Sequence, residues 1–346
     1  MRMVDLNYTL EDERLQVSIP KMLKGGHDLQ IFACFIDPSV GKDRYVPRTL
    51  HMIDLLRSQI RRHPKLFSLC VTARDARRAR QLGKKIGMLG IEGGHAIAND
   101  LAVLRCYRQL GVIAMTLTWS NTNDWADSSS DEERWGGLTQ FGQEVVCEMN
   151  RIGMMVDISH VSDKTFRQVL RTSSRPVIAS HSSARSLCNH HRNMSDEMIR
   201  AMAEKGGVVF VNFYPSFLSQ KFCDEKEKLE KRYRKRLLSA EAKWSHKPWM
   251  YNYEEENIFR SAGASLPRVG IKDAVRHIEH IAKIAGVEAV GFGSDFDGIP
   301  FTPEGLEDCT GLPVLCDALR KKGFTSAEVD RIAGQNFLRI LEETVG

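Results

Sequence analysis

Seven short apolar runs alternate with helix-patterned stretches along this chain, and that alternation constrains its fold more than any other feature. The runs lie at 29–36, 87–92, 112–118, 154–159, 176–180, 207–213 and 289–294. Helical patterns occupy 47–62, 75–82, 101–110, 141–151, 162–171, 195–205, 275–285 and 326–344, with Pro47 read into a first turn, where proline is tolerated. Such alternation specifies a parallel sheet with crossover helices. A length of 346 residues suits one α/β barrel with insertions. The expected fold class is therefore α/β, a distorted TIM-like (β/α)8 barrel forming one domain over 1–346. Eight strands need one more than the seven runs supply. Only residues 3–10 remain to provide it ahead of residue 29, and they are weakly patterned, so the first strand reads as degenerate or missing.

Four of the runs end on a metal-competent side chain. They close on Glu92, His160, His181 and Asp295. A parallel barrel carries its chemistry at the C-terminal ends of its strands, so these four converge on one mouth. Two imidazoles and carboxylate oxygens form a ligand set suited to zinc, and Asp295 can also handle protons.

Each position also has a plainer structural role open to it. Glu92 stands in Gly90-Ile91-Glu92-Gly93-Gly94-His95, where glycines allow close backbone approach past a strand, and a turn or capping glutamate is the alternative. His160 precedes Ser162, which reads as a helix cap. His160 and His181 are 21 positions apart, the span of one βα unit that would set both at the same rim. Asp297-Gly298 reads as turn chemistry. Arg192 lies beyond His181 in a loop; guanidinium binds a carboxylate in bidentate fashion, so Arg192 is either a substrate clamp or a surface arginine. His190, His191, His277 and His280 read as structural.

The net charge of +5 is spread through mixed charges over most of the chain, which argues against a nucleic-acid partner. Eight cysteines form no C-x-x-C pair, and Cys34, Cys70 and Cys188 read as buried thiols. The N-terminus shows no apolar signal-peptide core and no run reaches transmembrane length, so a cytoplasmic location is expected. Residues 219–256 differ in composition. Their charge-dense part, 224–236, reads as a solvated helical insertion, and Trp244, Trp249, Tyr251 and Tyr253 are placed to fold it over the mouth as a lid.

Taken together, Glu-Gly-Gly-His at 92–95, Asp-x-Ser-His-Val-Ser at 157–162, Ser-His-Ser-Ser-Ala at 180–184 and Gly-Ser-Asp-Phe-Asp-Gly at 293–298 resemble the membrane dipeptidase (renal dipeptidase) family of zinc peptidases. The resemblance runs from about residue 19 to the C-terminus. It implies a distorted barrel with two zinc ions. Glu92 then corresponds to the bridging carboxylate, His160 and His181 to the other ligands of one zinc, Arg192 to the substrate-carboxylate contact and Asp295 to the acid/base residue. Family members cleave dipeptides, and some accept a D-residue at the C-terminal position or open β-lactams. A homodimer is left open as the assembly.

Two departures stand out. The family's first strand ends in His-x-Asp, which supplies two ligands to the second zinc, whereas this chain has no His before His27. About one tightly held zinc and little or no dipeptidase activity of the chain as written follow as expectations, the motif being either eroded at 4–10 or cut off with the start of the chain. Trp119 stands where renal members carry a substrate-contacting His, which points to an altered substrate preference. Two rival readings remain beside the dipeptidase: a non-catalytic barrel with a binding role, and an amidohydrolase acting on a non-peptide amide, lactone or β-lactam.

Overall fold

The computed structural model describes residues 9–244, 248–261 and 266–346. Eight parallel strands form one curled sheet: β1 (Leu29–Phe35), β2 (Phe67–Leu69), β3 (Lys85–Glu92), β4 (Val112–Thr116), β5 (Met155–Asp157), β6 (Ile178–Ser182), β7 (Val208–Val211) and β8 (Val290–Phe292). The hydrogen-bonded order is β1-β3-β4-β5-β6-β7-β8, with β2 paired to the lower part of β3. Helices pack outside this sheet, as the alternation requires.

The seven expected strands are all present. The segment 3–10, read as a degenerate or missing first strand, lies mostly outside the described residues, and no described strand precedes Leu29. The extra strand is β2, only three residues long, and too short to leave a periodic signal. Among the described residues β1 and β8 do not pair, so the barrel is open along a seam between them. The helix Asn336–Thr344 lies across the lower end and buries Phe337, Ile340 and Leu341 against Met88, Met155 and Ile178.

Capping residues set where the helices begin. Thr72, Thr139, Ser162 and Ser195 each accept a backbone N–H in the first turn, satisfying a donor the helix cannot pair internally. Pro47 is not in a first turn: the helix runs Lys42–Arg62, and proline sits inside it. The pattern at 326–344 is not one regular helix. It is interrupted over Arg331–Gln335, where Gly334 leaves helical geometry. The helix Leu312–Lys322 was not anticipated.

The insertion forms two helices, Gln220–Trp244 and Pro248–Ser261. They share a small core of Leu237, Ala240, Ile258 and Phe259. Lys226 clips them together, its Nζ 3.0 Å from Glu255 Oε1 and also paired with Glu230. Trp244 and Tyr251 face the cavity described below, as a lid would. Tyr253 does not; it is exposed. The side chain of Trp249 lies outside the described residues.

Candidate metal centre and substrate cavity

Three strands bring three ligand atoms together. Glu92 is the last residue of β3, His160 follows β5 by three residues, and His181 lies within β6. His160 Nε2 is 3.0 Å from Glu92 Oε1 and 2.8 Å from His181 Nε2, and His181 Nε2 is 3.4 Å from Glu92 Oε1. These three residues form a metal-competent group among the described residues. Lone pairs of two neutral imidazoles and a carboxylate crowded this closely have no mutual satisfaction except through a shared proton or cation.

The backbone around them is built to hold this arrangement. His160 takes a left-handed φ of 75°, which turns its ring back across the strand end. β5 and β6 share a single paired position, Asp157 with Ile178. Asp157 Oδ1 supplements that ladder by accepting from the amides of Ser159 and Ser180, each at 3.0 Å. Ser159 Oγ in turn accepts the His181 amide at 3.0 Å. The Ser180 hydroxyl lies 2.7 Å from His181 Nδ1; in the tautomer in which it accepts Nδ1–H, the Nε2 lone pair faces the centre.

Burial opposes charge throughout the group. It would raise the Glu92 carboxyl, but hydrogen bonds from His160 and His181 hold it well below the usual range. Burial, with the Arg192 cation nearby, pushes His160 well down. Burial also acts to lower His181, but the Glu92 hydrogen bond and the Asp295 charge outweigh it and the pKa is raised. Burial raises the Asp295 carboxyl, with the Glu92 charge adding to the effect.

Asp295 lies just beyond β8 at a left-handed φ of 58°, and its Oδ2 accepts from Asn212 Nδ2 at 3.0 Å. Arg192 is buried; its Nη2 donates to the His181 carbonyl at 3.3 Å, its guanidinium lies 5.2 Å from the Phe217 ring centre, and its Nε has no hydrogen-bond partner among the described residues. The Trp119 ring packs 4.7 Å from Phe35 and 6.4 Å from His160. All six candidate residues, Glu92, Trp119, His160, His181, Arg192 and Asp295, line one cavity of about 1070 Å³ that extends along the open seam.

The remaining histidines stay outside the group. His190 stacks 4.6 Å from Phe217, and burial pushes its pKa down to about 3. His277 accepts the Ala184 amide and donates to the Leu218 carbonyl, each at 3.1 Å. His280 pairs with Asp196. Asp297 carboxylate oxygens accept the amides of Gln16 and Val17, tying the N-terminal stretch to the mouth. Sequence reasoning missed Asp157 and Asn212. Asn212 is a polar residue directly after an apolar strand, the same signal that pointed to the other four.

Known proteins of this shape have related sequences. An uncharacterized dipeptidase of Schizosaccharomyces pombe is 35% identical over 340 residues, 94% of this chain and 71% of its own length. The crystal structure of dipeptidase AC, a metallopeptidase, is 27% identical with a TM-score of 0.79, covering 97% of this chain and 91% of its own. A metallopeptidase of Rhodobacter sphaeroides, solved with a phosphinate mimic of the dipeptide L-Ala-D-Ala, is 25% identical with a TM-score of 0.79, covering 99% and 94%. Residues 2–345 match the model of the membrane dipeptidase family, peptidase family M19, and the chain belongs to that family.

Proposed function

We propose that this protein is a zinc-dependent dipeptidase in which Glu92, His160 and His181 hold the metal, Arg192 and Trp119 bind the substrate and Asp295 is the acid/base. The observation that carries this reading is the convergence of Glu92 Oε1, His160 Nε2 and His181 Nε2 in a cavity walled by a buried arginine. The donor set fits zinc: two imidazole nitrogens and one carboxylate, with the His181 ring oriented by its contact with Ser180. When bound, zinc supplies Lewis acidity and acidifies water.

The other steps belong to the side chains. Arg192 receives the C-terminal carboxylate of the substrate through its guanidinium, which selects very short peptides. Its packing against Phe217 limits the rotamers it must give up on binding. Asp295 is kept protonatable by burial and oriented by Asn212, so its carboxyl can carry a proton to the leaving amine. Trp119 and Phe35 form an aromatic wall beside His160 that contacts the substrate side chain. The mimic of L-Ala-D-Ala bound by the Rhodobacter sphaeroides relative supports testing both L,L- and L,D-dipeptides.

Metal analysis after dialysis tests the centre: about one zinc per chain is expected from three protein ligands and an open position. Arg192→Ala tests the clamp. It should weaken kcat/KM on dipeptides by roughly 2–4 kcal/mol relative to dipeptide amides. Equal losses on both substrates would remove Arg192 from the binding role, and a chain that retains no zinc would remove the centre.

A further inference from the structure

The basic residues of this chain are unevenly placed. Residues 57–85 contain ten Lys and Arg against one acid, Asp75. That is a local +9 in a chain whose total is +5, which leaves the rest of the chain at −4. The segment is contiguous in space. It comprises the end of the helix Lys42–Arg62, β2, the helix Ala73–Gln81 and the start of β3, which pack on one another. Because β3 begins here and finishes at Glu92, this surface lies at the end of the sheet away from the metal centre.

Arg61, Arg62, Lys65, Arg74, Arg78 and Arg80 are all exposed. Arg61 makes only a 3.8 Å contact with an exposed Asp54, and Arg77 pairs with Glu342. Among the described residues, no carboxylate neutralises Arg62, Lys65, Arg74, Arg78 or Arg80. Two large aliphatic side chains stand in the same patch, Leu66 at 40% exposure and Leu82 at 62%. They belong to the same edge: the Leu66 carbonyl accepts the Lys85 amide at 2.7 Å, and Leu82 begins the turn that leads to Lys84 and Lys85.

Uncompensated cations around exposed leucines match a bilayer surface bearing anionic headgroups, where cations meet the headgroups and aliphatic side chains enter the interface. A single-stranded nucleic acid would call instead for exposed aromatic side chains on which bases stack, and the aromatic residue of this segment, Phe67, is buried. We propose that this surface docks the protein onto an anionic lipid bilayer, leaving the cavity mouth directed toward solution. The proposal is independent of the activity assigned to the cavity.

The test is cosedimentation of the full chain with vesicles of phosphatidylcholine alone or three parts phosphatidylcholine to one part phosphatidylserine, at low and at about 0.15 M salt. Binding is expected only to the anionic vesicles and should weaken as salt rises. Each basic side chain near such a surface contributes roughly fivefold, so Arg74→Glu with Arg78→Glu should weaken binding by more than about tenfold. Leu66→Ser with Leu82→Ser should weaken it severalfold. All four positions are exposed, and unchanged melting temperatures would show that the fold is intact. Absence of binding, equal binding to neutral vesicles or indifference to the charge reversals would overturn the proposal. So would a single-stranded oligonucleotide that binds more tightly than the vesicles and ignores the leucine changes.

Discussion

His277 makes the stability of this protein depend on pH in a way that one substitution isolates. The ring is 1% exposed and uses both nitrogens while neutral: Nδ1 accepts the Ala184 amide and Nε2–H donates to the Leu218 carbonyl. Burial, with the Arg276 and His280 charges adding to it, pushes its pKa down to about 4 from an unfolded value of 6.5. The unfolded chain therefore binds the proton first. The stabilisation is fully present above pH 6.5 and is lost as pH falls toward 4. A shift of this size corresponds to about 3 kcal/mol in total, of which about 2 kcal/mol is lost between pH 7 and pH 5. His277→Gln keeps a donor and an acceptor at the position but removes the titration. Free energies of urea unfolding measured for both proteins at pH 7, 6 and 5 give the comparison. The wild type should lose about 2 kcal/mol more than the variant over that range. Parallel curves for the two proteins would refute the reasoning, because every other titrating group is common to both.

Other outcomes follow from the packing around the centre. A Cβ on Gly293 would press on the carbonyl oxygens of Ser180 and Phe210, so Gly293→Ala should cost about 2–3 kcal/mol in unfolding free energy; a neutral effect would mean that β8 can move away. Asp157→Ala should weaken zinc retention on dialysis at least tenfold, since outer partners of metal ligands commonly carry that much. Asp157→Asn should be far milder, because one oxygen, Oδ1, accepts both amides; equal losses in the two variants would assign the effect to charge instead.

The sequence made the strand ends legible because each candidate site residue stands beside its own strand. An apolar run followed by His, Glu or Asp is a local signal, and Glu92, His160, His181 and Asp295 all carry it. The features that shape the site are not local. Asp157 acts through amides of two other residues, and Asn212 through a carboxylate 83 positions away. The left-handed backbone at His160 has no composition marker, since histidine does not announce a positive φ as glycine does. β2 escaped notice because three residues cannot display a period, and Pro47 misplaced a helix start because first-turn proline is only a preference. The basic surface at 57–85 is plain in the sequence once charges are counted by segment instead of over the whole chain.

Asp295 shows how function and robustness pull against each other in this fold. Its carboxyl is buried, and its backbone sits in a region that side-chain-bearing residues seldom occupy. Asparagine would relieve the first burden: it cannot ionise, its oxygen can still accept from Asn212, and it adopts the left-handed backbone as aspartate does. Asp295→Asn should therefore melt at a higher temperature than the wild type while losing turnover. On the acid/base role proposed above, the aspartate keeps a proton-carrying group at the expense of thermal tolerance.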